Sequence, residues 1–481
     1  MQSESENLVD GSPKGARISE NTYKVEPGEN SKLEKSLRFK VDLRLCTIGG
    51  LLCSLDLLDS GIISSASVTS MLPELGLDKG NRYSVSILIF TVASVTCQLP
   101  AVLLVRLLGP RIFFATITFG FGLITLCTAF IHTWKEMIVM RVLLGMFMSG
   151  IYPGLFLLIS TWYRREELQL RFAFLQCGEV IVLATGNIVN FGLNNLNGRS
   201  GLKGWQWMYV VQGLCACVIG IATYWWIVDF PEESQHSFHF LSETERKLAV
   251  ARIQRDRGDV VPTPFSWSEI FRHFLDLKIY GFAATFFLLN LVSTALSYFL
   301  PIILQSGMGF STNKAILLAA PPYYYAVIPV LISSRIGDRY QLRGPVISFN
   351  SLCLIAGFGM LGFSNQVTVR YIGTYLATGA YISNWAALNS YQASNITGQW
   401  KRAVTAAAIT ACNGLGGIAG SFIVRQNEAP RYLTAIWVSI GSHIFIIGIV
   451  VAFSAYFFTA NRTQIKGKKV IEATEGFRYT Y

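Results

Sequence analysis

Asp56 and Asp59 lie in LCSLDLLDSGIISSAS (residues 52–67), inside a long apolar run. Wound as a helix, Asp56, Asp59, Ser60, Ser64 and Ser67 fall within about 140° of one another. A carboxylate facing lipid is expensive, so this stripe has to look into protein or water. A carboxylate whose solvent access switches sides can take up a proton on one side and release it on the other. Such chemistry couples proton movement to solute movement and breaks no covalent bond. Arg141, alone in a fourth apolar run, has the charge to neutralise Asp59 across two helices.

The fifth apolar run repeats the pattern. Gln176, Glu179, Asn187, Asn190 and Asn194 share one helical face of about 80°. Asn290 with Ser293, Thr294 and Ser297, Asn384 with Asn389 and Gln392, and Asn413 beside Gly414, Gly416 and Gly417 place further polar groups in other runs. Stripes on several helices are all satisfied at once if they face one shared cavity. The expected proton and solute pathway is therefore Asp56, Asp59, Arg141, Gln176, Glu179, Asn187, Asn290, Asn384 and Asn413. Single Asn and Ser residues also serve as hydrogen-bonding glue between helices, and the glycine runs read as close-packing seams.

These residues need membrane-spanning elements to hold them. Of the 481 residues 52% are hydrophobic and 14% charged, and mean hydropathy is +0.42. About 20 apolar residues cross a bilayer. Such runs occur near 44–68, 84–105, 112–131, 137–162, 172–193, 205–228, 278–304, 314–334, 345–364, 368–392, 403–424 and 432–458. The expected fold class is an all-α membrane protein of twelve transmembrane helices. It divides into a disordered tail (1–37), a six-helix bundle (38–228), a linker (229–275), a second six-helix bundle (276–460) and a second tail (461–481). Within the linker, Ser242 and Glu245 form a capping-box pattern.

The net charge of +11 sits in every second connection, from KLEKSLRFKVDLR through YRREELQLR to NRTQIKGKK. By the positive-inside rule both termini are expected in the cytoplasm, and the charge is a topology signal and no footprint of nucleic acid. Arg106 between runs 2 and 3 has a counterpart in Arg339 between runs 8 and 9, 233 residues on. With Arg111 and Asp338, these form a candidate conformational latch between two repeats.

Enzyme motifs are missing. The sequence has no phosphate-binding G-x-x-x-x-G-K-[ST], no H-E-x-x-H and no G-x-S-x-G. The five histidines are scattered and the nine cysteines lie in apolar runs, so no metal, disulfide framework or cofactor is expected.

Taken together, LLGPR (107–111), RVLLGMFMSGIYPGLFLLISTWYRREELQLR (141–171), GWQWMYVVQG (204–213), DFPE (229–232), PPYYYAVIPVLISSRIGDR (321–339), TGQWKRA (397–403), CNGLGGIAGSFI (412–423) and EAPRY (428–432) resemble the major facilitator superfamily. More narrowly they are similar to its fungal anion:cation symporters, which include allantoate, nicotinate and pantothenate permeases. The resemblance covers roughly residues 38–460. It implies proton-coupled uptake of a small organic anion or vitamin-like solute by a monomer in the plasma membrane. The chain departs from the family pattern at Ser60, Met148, Gln206 and Gln212, where charged residues are usual, and at Glu179, where a small apolar residue is usual. The internal charges are thus rearranged. An exporter of the same fold, or a non-transporting membrane sensor, remains the alternative reading.

Overall fold

The computed structural model describes residues 27–163, 165–231, 276–396, 399–466 and 478–481, with scattered positions over 241–249. Among the described residues it is all-helical, without a strand. Long helices coincide with the apolar runs. They are α1 (Thr47–Ser67), α2 (Arg82–Leu108), α3 (Pro110–Thr128), and α4 (Trp134–Met148 continued by Ile151–Trp162). Next come α5 (Arg165–Asn194), α6 (Gly204–Trp226), α7 (Leu277–Ile302) and α8 (Ala320–Tyr340). The last are α9 (Arg343–Phe363), α10 (Val367–Asn395), α11 (Gln399–Ile423) and α12 (Leu433–Ile465).

Among the described residues ten helices are long and apolar enough to cross a membrane, or eleven if α2 counts as one span. α2 bends by 53° between Gln98 and Pro100, because proline removes a backbone donor and its ring clashes with the preceding turn. Twelve runs are legible in the sequence; the run at 368–392 is the one that falls short. It forms the 29-residue α10, but Asn384, Asn389, Gln392 and Asn395 dilute its apolar content. The outward surface carries exposed Leu103, Phe156, Val218, Phe349 and Phe445, the side chains a lipid-facing surface requires.

Helix pairing has an internal order. α1 packs on α5, α2 on α4 and α3 on α6; six helices later α7 packs on α11, α8 on α10 and α9 on α12. The two sets meet through α1 with α7, α2 with α11 and α5 with α8. Glycine makes these approaches possible. A Cβ on Gly122 of α3 would stand 2.5 Å from the backbone N of Cys217 in α6. One on Gly145 of α4 would meet the Phe90 carbonyl of α2 at 2.5 Å, and one on Gly416 of α11 the Phe287 carbonyl of α7 at 2.3 Å. Where lipid is as apolar as leucine, close backbone packing supplies association energy that hydrophobic burial cannot.

The linker joins α6 to α7, and contacts define a linker side of the bundle. Arg111, at the start of α3, donates from Nε to the Tyr224 carbonyl near the end of α6, 2.7 Å away. Lys401 of α11 pairs with Asp276, just before α7, at 2.5 Å. The expected capping box is present: the Ser242 backbone N donates to Glu245 at 3.0 Å and the Glu245 N to Ser242 Oγ at 3.3 Å. Glu245 also takes a hydrogen bond from Lys40 at 2.7 Å. Lys40 lies on the helix Pro27–Val41, which begins inside the stretch read from sequence as an unstructured tail. Leu37 and Val41 explain that helix, since both are buried in the cluster that holds Trp162, Tyr163 and Ala249.

Candidate functional site

α1 and α4 carry the charged centre of the first half. Arg141 donates from Nη1 to Asp59 Oδ2 at 2.5 Å, and both side chains are 0% exposed. The expected cross-helix pair therefore forms. Asp59, expected to face a wet chamber, is closed off from solvent in this conformation. The seal is imperfect in hydrogen bonds. Asp59 Oδ1 and Ser64 Oγ have no partner among the described residues, and the Tyr209 hydroxyl faces the Arg141 guanidinium. Buried polar atoms left in this way are costly. The Asp56 side chain lies outside the described residues.

The α5 stripe divides by depth. Asn187 and Asn190 are buried. Ser65 Oγ donates to Asn187 Oδ1 at 3.4 Å, and Asn190 Nδ2 donates to Ser65 Oγ at 3.1 Å and to the Gly61 carbonyl at 3.3 Å. Gln212 of α6 donates to Asn190 Oδ1. These amides hold α1, α5 and α6 together. Gln176 and Glu179 are half-buried instead, and Gln176 Nε2 donates across the halves to the Ile382 carbonyl of α10 at 3.4 Å.

In the second half Asn384 is fully buried and donates to Ser351 Oγ of α9 at 3.0 Å. Ser351 in turn meets His443 Nδ1 of α12 at 3.3 Å. Asn384 is thereby tied to α9, and its Oδ1 has no partner among the described residues. Asn290 Nδ2 donates to the Asn413 carbonyl at 2.7 Å, and Asn413 Oδ1 is buried without a partner among the described residues.

The two halves are joined by hydrogen bonds remote from the linker. Tyr83 Oη donates to the Tyr298 carbonyl at 3.1 Å, Gln305 and Thr312 each donate to the Val68 carbonyl at 3.2 Å, and Asn194 donates to Asn313 at 2.6 Å. Tyr83 is close enough to feel both Asp59 and Arg141 electrostatically. The far-side closure thus abuts the buried pair.

The latch candidates behave differently from one another. Arg106 and Arg339 are exposed, and the Arg339 guanidinium lies 5.7 Å from the Tyr340 ring centroid. The Asp338 side chain lies outside the described residues. Arg111 works within the first half: its backbone N donates to Asp229 Oδ1 at 3.3 Å, while Trp162 Nε1 donates to the Asp229 carbonyl at 3.1 Å. So Asp229 of DFPE ties α3, α4 and α6. Arg343, 232 residues after Arg111, stands at the start of α9 as Arg111 stands at the start of α3, but it reaches a different helix. It is buried and donates to the Ser390 carbonyl and to Ser394 Oγ of α10. The reading from sequence missed it, although the fixed offset was available.

Model-based family comparison matches the Major Facilitator Superfamily over residues 50–421. The high-affinity nicotinic acid transporter of Saccharomyces cerevisiae is 29% identical over 448 residues, covering 93% of this chain and 82% of that protein. An uncharacterised transporter of Schizosaccharomyces pombe is 31% identical over 418 residues, covering 86% of this chain and 80% of that one. Among solved structures, the Escherichia coli xylose transporter XylE in a partially occluded inward-open conformation superposes with a TM-score of 0.62 at 16% identity, over 85% of this chain and 98% of that chain. A bacterial homologue of the human lysosomal transporter Spinster, inward-facing and unoccupied, gives a TM-score of 0.61 at 12% identity, over 89% and 98%. With the helical architecture and the buried charge pair, these similarities lead to one conclusion: the chain belongs to the Major Facilitator Superfamily.

Proposed function

We propose that the protein is a secondary active transporter that imports a small organic anion, of the pyridine-carboxylate kind, together with protons. The observation that carries this reading is the sealed Asp59–Arg141 pair, set between helices of the first half. Protonation of Asp59 would cancel its attraction for Arg141. The freed guanidinium, always charged and rich in donors, is suited to a carboxylate. Half-buried Glu179 would be a second proton site and Gln176 a solute or gating contact, with Asn187, Asn290, Asn384 and Asn413 stiffening the walls.

Alternating access would proceed between two six-helix repeats, 38–228 and 276–460. The recurrence of helix pairings six helices apart supports this division. In the reading proposed, α10 and both parts of α2 also span the bilayer, which makes twelve crossings with both termini and the linker in the cytoplasm. Hydrogen bonds between the halves at the far side support a conformation closed there. Arg106, Arg339 and Asp338 would engage when the linker side closes. A monomer in the plasma membrane is sufficient for this cycle.

The test is uptake of labelled nicotinate and a panel of other carboxylates by yeast lacking its own nicotinate transporter, at acidic and neutral external pH. Accumulation above the external concentration at acidic pH, abolished by a protonophore, is expected. Loss of solute from preloaded cells without uptake would instead favour the exporter reading. No flux in either direction, with normal surface expression, would favour the sensor.

A further inference from the structure

The segment Arg478–Tyr481 is seated on the linker-side ends of four helices of the second half. Tyr479 is buried, and its ring stacks on Phe457 of α12 at 4.4 Å and 22°. Lys278 at the start of α7 donates from Nζ to the Tyr479 hydroxyl at 2.7 Å. Asn461 of α12 grips both backbone groups of Tyr479: its Oδ1 accepts from the Tyr479 N at 3.0 Å and its Nδ2 donates to the Tyr479 carbonyl at 2.9 Å. Thr480 N donates to Asn395 Oδ1, the last residue of α10, at 2.9 Å. Gly344 N, at the start of α9, donates to the Tyr481 carbonyl at 3.0 Å. A Cβ on Gly344 would stand 3.2 Å from the Tyr481 carbonyl carbon, so the groove is shaped to the chain that fills it.

Tyr479, Thr480 and Tyr481 therefore tie α7, α9, α10 and α12 together. Of these, α10 also reaches the first half, through the Ile382 carbonyl and Gln176. If the linker-side end of α10 swings toward the first half, the Thr480–Asn395 hydrogen bond has to stretch or the segment has to leave. We propose that Arg478–Tyr481 is a tethered strap that holds the end of α10 back against α7, α9 and α12. Docked, it favours the conformation closed on the far side; released, it lets the linker side close. The groove is then a binding surface for an aromatic–threonine–aromatic peptide. This proposal rests on the alternating-access reading but names no solute.

The test uses the full chain in lipid nanodiscs, as wild type, Tyr479→Ala and Thr480→Pro. Proline cannot donate to Asn395, and position 480 lies outside the helix bundle, so that variant has little reason to misfold; matching thermal unfolding is the control. Hydrogen exchange reads docking: the Tyr479 amide is expected to exchange about tenfold or more slowly in wild type than in either variant. Spin labels on cysteines introduced at exposed Leu107 and Tyr340, with the native cysteines replaced, read the separation of the linker-side ends. Release is expected to move that distance distribution to shorter values. A Tyr479 amide unprotected in wild type would overturn the docking. Protection lost in the variants with an unchanged distance distribution would overturn the strap. Because neither measurement uses a solute, absence of carboxylate uptake would count against the transport reading alone.

Discussion

Arg141 and Asp59 meet at 2.5 Å with neither side chain open to solvent. Removing one member of such a pair leaves an uncompensated buried charge. Asp59→Ala or Arg141→Ala should each lower stability by about 3–5 kcal/mol. Replacing both with apolar residues of similar volume should recover most of that loss. Thermal unfolding of the purified variants checks this; a loss in the double variant equal to the sum of the two single losses would show that the pair is not energetically coupled.

Glu179→Gln keeps shape and hydrogen bonding but cannot release a proton. Surface expression should be unchanged, while accumulation of the transported anion at acidic pH should fall to equilibration. Uphill accumulation equal to wild type would remove Glu179 from coupling.

The α3–α6 seam depends on Gly122, where a Cβ would fall 2.5 Å from the Cys217 backbone N. Gly122→Leu should force these helices apart and cost at least about 1–3 kcal/mol. Gly178→Ala, with nothing within 4 Å of an added Cβ, is the matched control and should be close to neutral. Both are read as shifts in the thermal midpoint in detergent.

Glu74 lies between α1 and α2 and joins α6 to that connection. It pairs with Lys203 at 2.8 Å and accepts from Trp205 Nε1 at 3.0 Å. Partial burial pushes its carboxyl up, but hydrogen bonds from Lys203, Ser70 and Trp205 outweigh this and hold it below the usual glutamate value of 4.5. A depressed folded-state pKa contributes stability above the unfolded value, and that contribution is lost as pH falls through the folded one. Below pH 4.5 the wild type should therefore lose thermal stability faster than Glu74→Gln. Parallel curves of midpoint against pH would contradict the assignment.

Asn190 joins three helices through Gly61, Ser65 and Gln212. Asn190→Leu should strand the Gln212 side chain and cost about 1–3 kcal/mol. The pair Asn190→Leu with Gln212→Leu should cost less than the sum of the single changes, as a double-mutant cycle on purified protein would read.

Much of the fold was legible because lipid imposes few choices. Runs such as 432–458 state their length and apolarity directly, and the Asp59–Arg141 pair followed from two charges that had nowhere else to go. Legibility failed at Asn384. A polar stripe says that partners exist without saying whether they are solute, water or another helix; for Asn384 the answer is Ser351. Arg343 and the segment at 478–481 escaped notice because each acts on residues distant in sequence, Ser390 and Asn395 among them.

The sequence alone determined a helical membrane protein and its apolar runs, and pointed to the pairing of Asp59 with Arg141, since hydropathy and desolvation act residue by residue. Only the tertiary structure decided which polar side chains are sealed, which helices touch and where the halves close. Those outcomes depend on the rotation and approach of packed helices, which no single stretch of chain encodes.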